Sequence, residues 1–293
     1  MRSRHYAAAI TAFILWGFFS FGLKPIHHYP SLDILFYRVF LCVTLMLTIN
    51  GLFRRKVVAE TFHSFRLLSL VEKKKLSFQI LASSLLLAAN WFFFIYVMNH
   101  ISVKAASLAY LICPILTTVF AFVLLKERLT RTQWIAVALS VASCIMLSLD
   151  SYRDILYSLI VAATYALYLV IQKRIGAMDR FLLLSLQLGI TAIILLPFYP
   201  SFSGPVPHEL RFYMFIGIIA VLFTIIPMFL NLFALKKINS STIGILMYIN
   251  PIINFMLAIF FYGEAITTIQ VLSYSMILVS IIIFNAKALA GKN

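Results

Sequence analysis

The chain has 293 residues, of which 63% are hydrophobic and 11% charged, with a mean hydropathy of +1.01. A soluble domain is roughly 45–50% apolar, so a water-soluble globular fold is excluded. The 24 Lys and Arg against 9 Asp and Glu give a net charge of +15, which in a soluble protein would point to nucleic acid. In a membrane chain the same excess collects in cytoplasmic loops, and no nucleic-acid partner is expected.

A spanning helix takes about 20 mainly apolar residues. Ten such runs follow one another, at 6–23, 32–53, 76–98, 103–125, 134–149, 155–171, 181–199, 212–235, 242–262 and 269–287. The first follows Arg2 and Arg4 and carries Trp16 mid-span. No small-residue cleavage site precedes Lys24 and Pro25, so it reads as a retained span and not a signal peptide. The second carries Asp33 and, about 10 Å along the helix from Ser31, Arg38. A central arginine costs at least ~2.5 kcal/mol on insertion scales. Arg38 therefore binds an anionic group or pairs structurally, and Asp33, five residues earlier, is off the best helical face for that pair.

The connection 54–75 alternates basic residues with Phe62, Phe65, Leu67, Leu68 and Leu70. It reads either as an interfacial amphipathic helix on anionic lipid or as a solvated connector. The third run holds Asn90, Trp91, Tyr96 and Asn99, the fourth Tyr110 and Pro114, and the sixth Tyr165 and Tyr168. The eighth holds Pro227 and Asn231, and the ninth Tyr248, Asn250 and Pro251. Aromatics at bilayer ends are interface anchors, but these lie mid-span. They either line a site for a partly apolar solute or pack helices. Each amide either faces a cavity or bonds a neighbouring helix for about 0.6 kcal/mol.

Pro114 and Pro251 each remove a backbone donor and expose a carbonyl one turn earlier. The pair either shapes a midplane site and its gating or bends two helices for packing. Cys42, Cys113 and Cys144 fall in apolar runs, with neither a disulfide framework nor zinc spacing. No metal, cofactor or catalytic residue is expected. No Asp or Glu sits at the centre of a span, so a buried carboxylate proton relay is not visible. His27 and His28 read as solvated in a short external loop.

A duplication runs through the chain. At a constant offset of 137 positions Pro114 meets Pro251, Glu127 meets Glu264, Thr130 meets Thr267 and Gln133 meets Gln270. Five runs per half is an odd number, so the second copy enters the membrane from the opposite face. With the N-terminus inside, 19 of the 24 Lys and Arg face the cytoplasm and four, Lys24, Lys104, Arg153 and Arg211, face outward. Both termini are then cytoplasmic. The basic neighbours of Glu127, namely Lys126, Arg128 and Arg131, are replaced around Glu264 by Gly263, Ala265 and Thr268, as the inside bias requires of one loop used on both faces. The fold expected is an all-α integral membrane protein of ten transmembrane helices, in two inverted five-helix repeats, 1–149 and 150–293, around a central cavity. Weakly similar halves of this kind are a signature of secondary transporters.

The chain resembles the drug/metabolite transporter superfamily, specifically an EamA-type permease of the RarD-like branch. The likeness rests on Ile14-Leu15-Trp16-Gly17, Asp33 to Arg38, Asn90-Trp91 with Phe94 and Asn99, Tyr110 with Pro114, Lys126-Glu127-Arg128 with Gln133-Trp134, and Tyr248-Ile249-Asn250-Pro251 with Tyr262-Gly263-Glu264. It implies a basket of ten helices whose cavity is lined by the first, third, fourth, sixth, eighth and ninth. It also implies a small-molecule substrate, an amino acid or a drug-like amphipathic compound, in the bacterial inner membrane, and is compatible with a homodimer. Trp16, Asn90, Trp91, Tyr110, Tyr165, Tyr168, Asn231, Tyr248 and Asn250 are the cavity candidates. Both glutamates read as helix-end organisers. The rivals are a non-transporting receptor or assembly subunit on the same scaffold, and a lipid-modifying membrane enzyme.

Overall fold

The computed structural model describes residues 2–100, 103–148, 152–176, 178–261, 263 and 267–289. Tyr262, Glu264 and the junction between the two expected halves lie outside the described residues. Among the described residues every regular element is helical: α1 (Arg2–Gly17), α2 (Phe19–Leu23), α3 (Ser31–Phe53), α4 (Arg55–Leu67), α5 (Leu70–His100), α6 (Val103–Leu125), α7 (Arg131–Ser148), α8 (Tyr152–Arg174), α9 (Arg180–Leu195), α10 (Tyr199–Phe202), α11 (Leu210–Ala220), α12 (Ile226–Leu235), α13 (Ser240–Leu246), α14 (Ile249–Phe260) and α15 (Thr268–Leu289). Eight helices or helix runs among these residues are long and apolar enough to span a membrane. A ninth is reached if α1 and the segment 19–26, bent by 42°, count as one, and α7 is a shorter apolar helix. The chain is a multi-pass membrane protein.

Four runs that read as single helices are interrupted. The first bends at Phe18, where Gly17 brings α1 against α14: a Cβ on Gly17 would stand 2.7 Å from Cβ of Ile253. In the seventh, Pro197 sits in a 3-10 turn between α9 and α10. The eighth passes through a π-helical segment, Val221–Ile225, between α11 and α12. The ninth is split at Met247 and Tyr248, because Pro251 has no N–H for the Met247 carbonyl, which takes the Asn250 N–H at 3.1 Å instead. α6 stays continuous through Pro114. The matched prolines thus act differently. The connection 54–75 is mostly helix, α4 having no buried residue and α5 starting at Leu70 through a reciprocal Ser69 and Glu72 capping box.

The segments that share sequence at offset 137 share local geometry. Lys126 and Gly263 both hold left-handed backbone, at φ 56° and 66°, a conformation that strains the lysine by roughly 1 kcal/mol and the glycine not at all. The Thr130 N–H donates to Gln133 Oε1 at 2.9 Å, and the Thr267 N–H to Gln270 Oε1 at 2.9 Å. The same capping box thus opens α7 and α15. These two helices pack on small residues, with Ser140 Oγ 2.6 Å from Ser280 Oγ and Ser143 Oγ donating to the Ser273 carbonyl at 2.9 Å.

α3 and α9 run antiparallel and are tied at both ends. At one end Asp33, buried at the start of α3, accepts the Gly204 N–H at 3.0 Å. At the other, Asp179 N-caps α9 through the Leu182 N–H and takes both Arg54 Nη atoms at 3.0 and 3.1 Å, just past α3. Between them lie Tyr37 to Tyr199 and Asn50 to Ser185 hydrogen bonds.

Candidate functional site

α8 is the axis of the site. It packs against α5 and α6 and also meets α12 and α13. Tyr165 and Tyr168 are stacked with centroids 5.6 Å apart, and Trp16 meets Tyr165 edge-on at 6.5 Å. Tyr110 of α6 lies near both Tyr165 and Arg38 of α3. Arg38 lies over the Trp91 ring, 4.7 Å from its centroid. At the opposite end Tyr168 interacts with Arg180 of α9. The result is one column, Arg38, Tyr110, Tyr165, Tyr168 and Arg180, flanked by Trp91 and Trp16.

Arg38 and Tyr165 are half-buried, and Tyr110 is 38% exposed. Tyr168 and Arg180 are buried, so the accessible part of the column is its Arg38, Tyr110 and Tyr165 end. Among the described residues no carboxylate lies within 4 Å of Arg38; the ion pair recorded is Arg54 with Asp179, and Asp33 is committed to Gly204. Trp91 is therefore the structural partner of Arg38, worth up to ~2 kcal/mol as a desolvated cation–π contact, while its Nε has no hydrogen-bond partner.

The remaining candidates divide. The Trp16 indole N–H is committed: it donates to the Phe223 carbonyl at 2.9 Å. That carbonyl is the one Pro227, four residues on, cannot serve. Asn90 donates to the Val161 carbonyl at 2.9 Å and to Thr164 at 3.3 Å, tying α5 to α8. Asn231 lies beside the Tyr165 hydroxyl from α12, its Oδ1 unpartnered. The two amides therefore approach α8 within about one turn of each other. Tyr248 is fully buried against Cys144 of α7, and Asn250 accepts from Asn254 within α14 at 2.7 Å. Neither has a recorded contact with the column. A separate groove of about 150 Å³, lined by Phe92, Phe93, Tyr96, Val97, Tyr157 and Ile160, is apolar and holds none of the candidates.

Pro114 belongs to a crossing of α6 with α13. A Cβ on Gly244 would stand 3.1 Å from the Pro114 carbonyl oxygen and 3.0 Å from Thr117 Cβ. Thr118 donates to the same carbonyl at 2.9 Å. Next to this crossing Glu127 caps α13, accepting the Ser240 N–H at 2.8 Å, the Ser241 N–H at 3.1 Å and the Ser241 hydroxyl at 2.6 Å. That is the helix-end role expected of it.

The family profile of the "EamA-like transporter family" matches this chain twice, over residues 4–149 and 153–286. The chain belongs to the EamA-like transporter family. It is 29% identical over 289 residues to "Uncharacterized transporter YojE" of Bacillus subtilis (strain 168), covering 93% of this chain and 90% of that one. It is 27% identical over 280 residues to "Protein RarD" of Escherichia coli (strain K12), covering 94% and 92%. A solved structure described as "Crystal structure of protein" matches with a TM-score of 0.76 at 14% identity, covering 98% of this chain and 99% of that chain, which is a likeness of fold. The protein is a RarD-like EamA family member and a membrane transporter by family.

In this EamA-like transporter, residue-by-residue reading passed over Gln172, Lys173, Arg174 and Arg180. Lys173, Arg174 and Arg180, as basic residues beyond an apolar run, read as orientation signals. The structure uses each one separately. Lys173 donates to the Leu235 and Ile238 carbonyls at 2.7 and 2.6 Å, closing α12, and Arg174 donates to the Leu124 carbonyl, closing α6. Gln172 and Arg180 are buried.

Proposed function

We propose that this chain is a secondary transporter that carries a small polar or amphipathic metabolite, such as an amino acid, across the bacterial inner membrane by alternating access. Ten spans in two inverted repeats, 1–149 and 150–293, rock about the column, with both termini in the cytoplasm. The observation that carries this reading is the column itself: tyrosines running between two guanidinium groups across the helix bundle, accessible at Tyr110 and Tyr165 and buried at Tyr168. The twofold pattern of sequence, capping boxes and left-handed turns supports the repeats. The two antiparallel ends of the α3 and α9 pair, each fastened by an aspartate, support the inversion.

Tyr110, Tyr165, Tyr168, Asn231 and Arg38 face the solute, with Trp16 and Trp91 walling it and Pro114 and Pro251 providing places where helices 6, 13 and 14 flex. Asn90 acts by holding α5 to α8. An enzyme acting on lipid would need a nucleophile and a base converging at one face, and the column offers phenols, amides and guanidinium groups. A receptor or assembly subunit on the same scaffold would bind without moving solute. Uptake into proteoliposomes separates them. With a broad metabolite panel, at least one solute is expected to accumulate saturably, and Tyr165→Ala is expected to cut its kcat/KM by about tenfold or more, as loss of a ~1.4 kcal/mol contact does. Saturable binding without flux would make the protein a receptor.

A further inference from the structure

Three adjoining side chains at the end of α8 and the start of α9 are buried with polar atoms that have no hydrogen-bond partner of good geometry. Arg180 is 3% exposed, with Nε and Nη1 both unpartnered. Gln172 is fully buried and neither of its amide atoms has a partner of good geometry; Tyr168, 1% exposed, has none for its hydroxyl. Tyr168 and Gln172 stand one turn apart on the same face of α8, close enough to interact, and Arg180 interacts with Tyr168.

The groups that would ordinarily neutralise Arg180 are engaged elsewhere. Asp179 gives both oxygens to Arg54 and accepts the Leu182 N–H. Glu127 gives both oxygens to Ser240 and Ser241. Lys173, the nearby cation, is held by the Leu235 and Ile238 carbonyls. Asp179 still acts on Arg180 through its charge, but it offers no hydrogen bond, so the buried Nε and Nη1 lack an acceptor, which is unfavourable unless something anionic joins them. The donors left over are guanidinium N–H groups, an amide NH₂ and a phenol O–H. This set matches an oxyanion held by charge-assisted hydrogen bonds. The site is also continuous with the column, since Tyr168 stacks on Tyr165.

We propose that Tyr168, Gln172 and Arg180 form an oxyanion-binding subsite, and that the anion is a carboxylate of the carried solute. The assignment of the anion to the solute rests on the transport reading. The subsite itself does not. Arg38, at the other end of the column, supplies the second guanidinium that the carboxylate meets on the opposite side.

The test measures binding apart from flux. Purified protein in zwitterionic nanodiscs is titrated at constant ionic strength with lactate, succinate and benzoate and with their primary amides, and thermal unfolding is followed. At least one carboxylate is expected to give a saturable rise of about 3 °C at ten times its dissociation constant, and its amide none. Arg180→Gln abolishes the rise, and Arg180→Lys and Tyr168→Phe each weaken binding at least about tenfold, the loss of one charge-assisted contact. The last two keep the inference falsifiable if Arg180→Gln does not fold. Equal shifts by acid and amide, no shift by any acid, or wild-type binding in Arg180→Lys and Tyr168→Phe would overturn it. A shift produced by phosphatidylglycerol in the nanodisc and by no carboxylate would assign the site to a lipid headgroup and also overturn it. Counterflow in proteoliposomes keeps the two readings apart: flux that is unaltered in Tyr168→Phe leaves transport standing without the subsite, and carboxylate binding without flux leaves the subsite standing without transport.

Discussion

Trp16 and Pro227 show how one residue's missing donor becomes another's role. Pro227 leaves the Phe223 carbonyl unserved within an apolar core, a defect of ~1–3 kcal/mol, and the Trp16 indole fills it. Trp16→Phe is therefore expected to cost about 1–3 kcal/mol of stability, and clearly less in a Pro227→Ala background, where the backbone N–H returns. A double-mutant cycle on thermal unfolding measures that coupling. Gly17 is set by distance alone: Gly17→Ala forces its Cβ to 2.7 Å from Ile253 Cβ, and such overpacking costs about 1–3 kcal/mol, read as a lower melting temperature. Sequence reading picked out Trp16 and Pro227 as mid-span residues, but not that they share one hydrogen bond, because the partners are 207 positions apart. It missed Arg180 for a similar reason. A charge at the edge of an apolar run looks solvated until α8 and its neighbours are placed around it.

At the scale of elements, the connection between α3 and α9 carries a titratable clamp. Burial raises the Asp179 carboxyl pKa, while the Arg54 hydrogen bond, the Leu182 N–H and the Arg54 charge lower it, leaving it below the ordinary carboxylate value. A depressed native pKa stabilises fully above the unfolded value, about 3.9, and the gain is lost as pH falls through the native value. Asp179→Ala is expected to cost about 1–2 kcal/mol at pH 7, an N-cap and a partly exposed ion pair together. The gap between the melting curves of wild type and variant should shrink below about pH 4. α4, with no buried residue and with Phe62 and Leu67 exposed, is expected to lie on the lipid surface. A nitroxide at Phe62 should be more accessible to oxygen than to a water-soluble nickel chelate; the reverse order would make α4 a solvated connector. Ten apolar runs could be read in chain order, and Pro251 marked a freed carbonyl at Met247, yet the breaks at Phe18 and Val221 could not be read. Hydropathy reports apolar length and is blind to where a glycine lets two helices touch or a proline diverts a carbonyl.

For the whole molecule, the duplication was the most legible feature, since an offset of 137 positions needs no geometry to detect. Its matched positions coincide with the paired capping boxes of α7 and α15 and the twin left-handed turns at Lys126 and Gly263, which only the structure shows. It did not anticipate that Tyr110 and Tyr248, equivalent in outline, would part company, Tyr110 joining the column and Tyr248 packing on Cys144. Near-symmetric repeats bury different faces once α13 and α14 are separated by a break that α6 lacks. The central claim is that the column is reached in turn from both sides of the membrane. The most direct measurement uses Tyr110→Cys in a background where Cys42, Cys113 and Cys144 are replaced by alanine, with a membrane-impermeant thiol reagent added to either face of oriented vesicles. The account predicts that residue 110 reacts from both faces at rates that saturating transported solute lowers. Reaction from one face alone, or rates unaffected by any solute that moves, would contradict it.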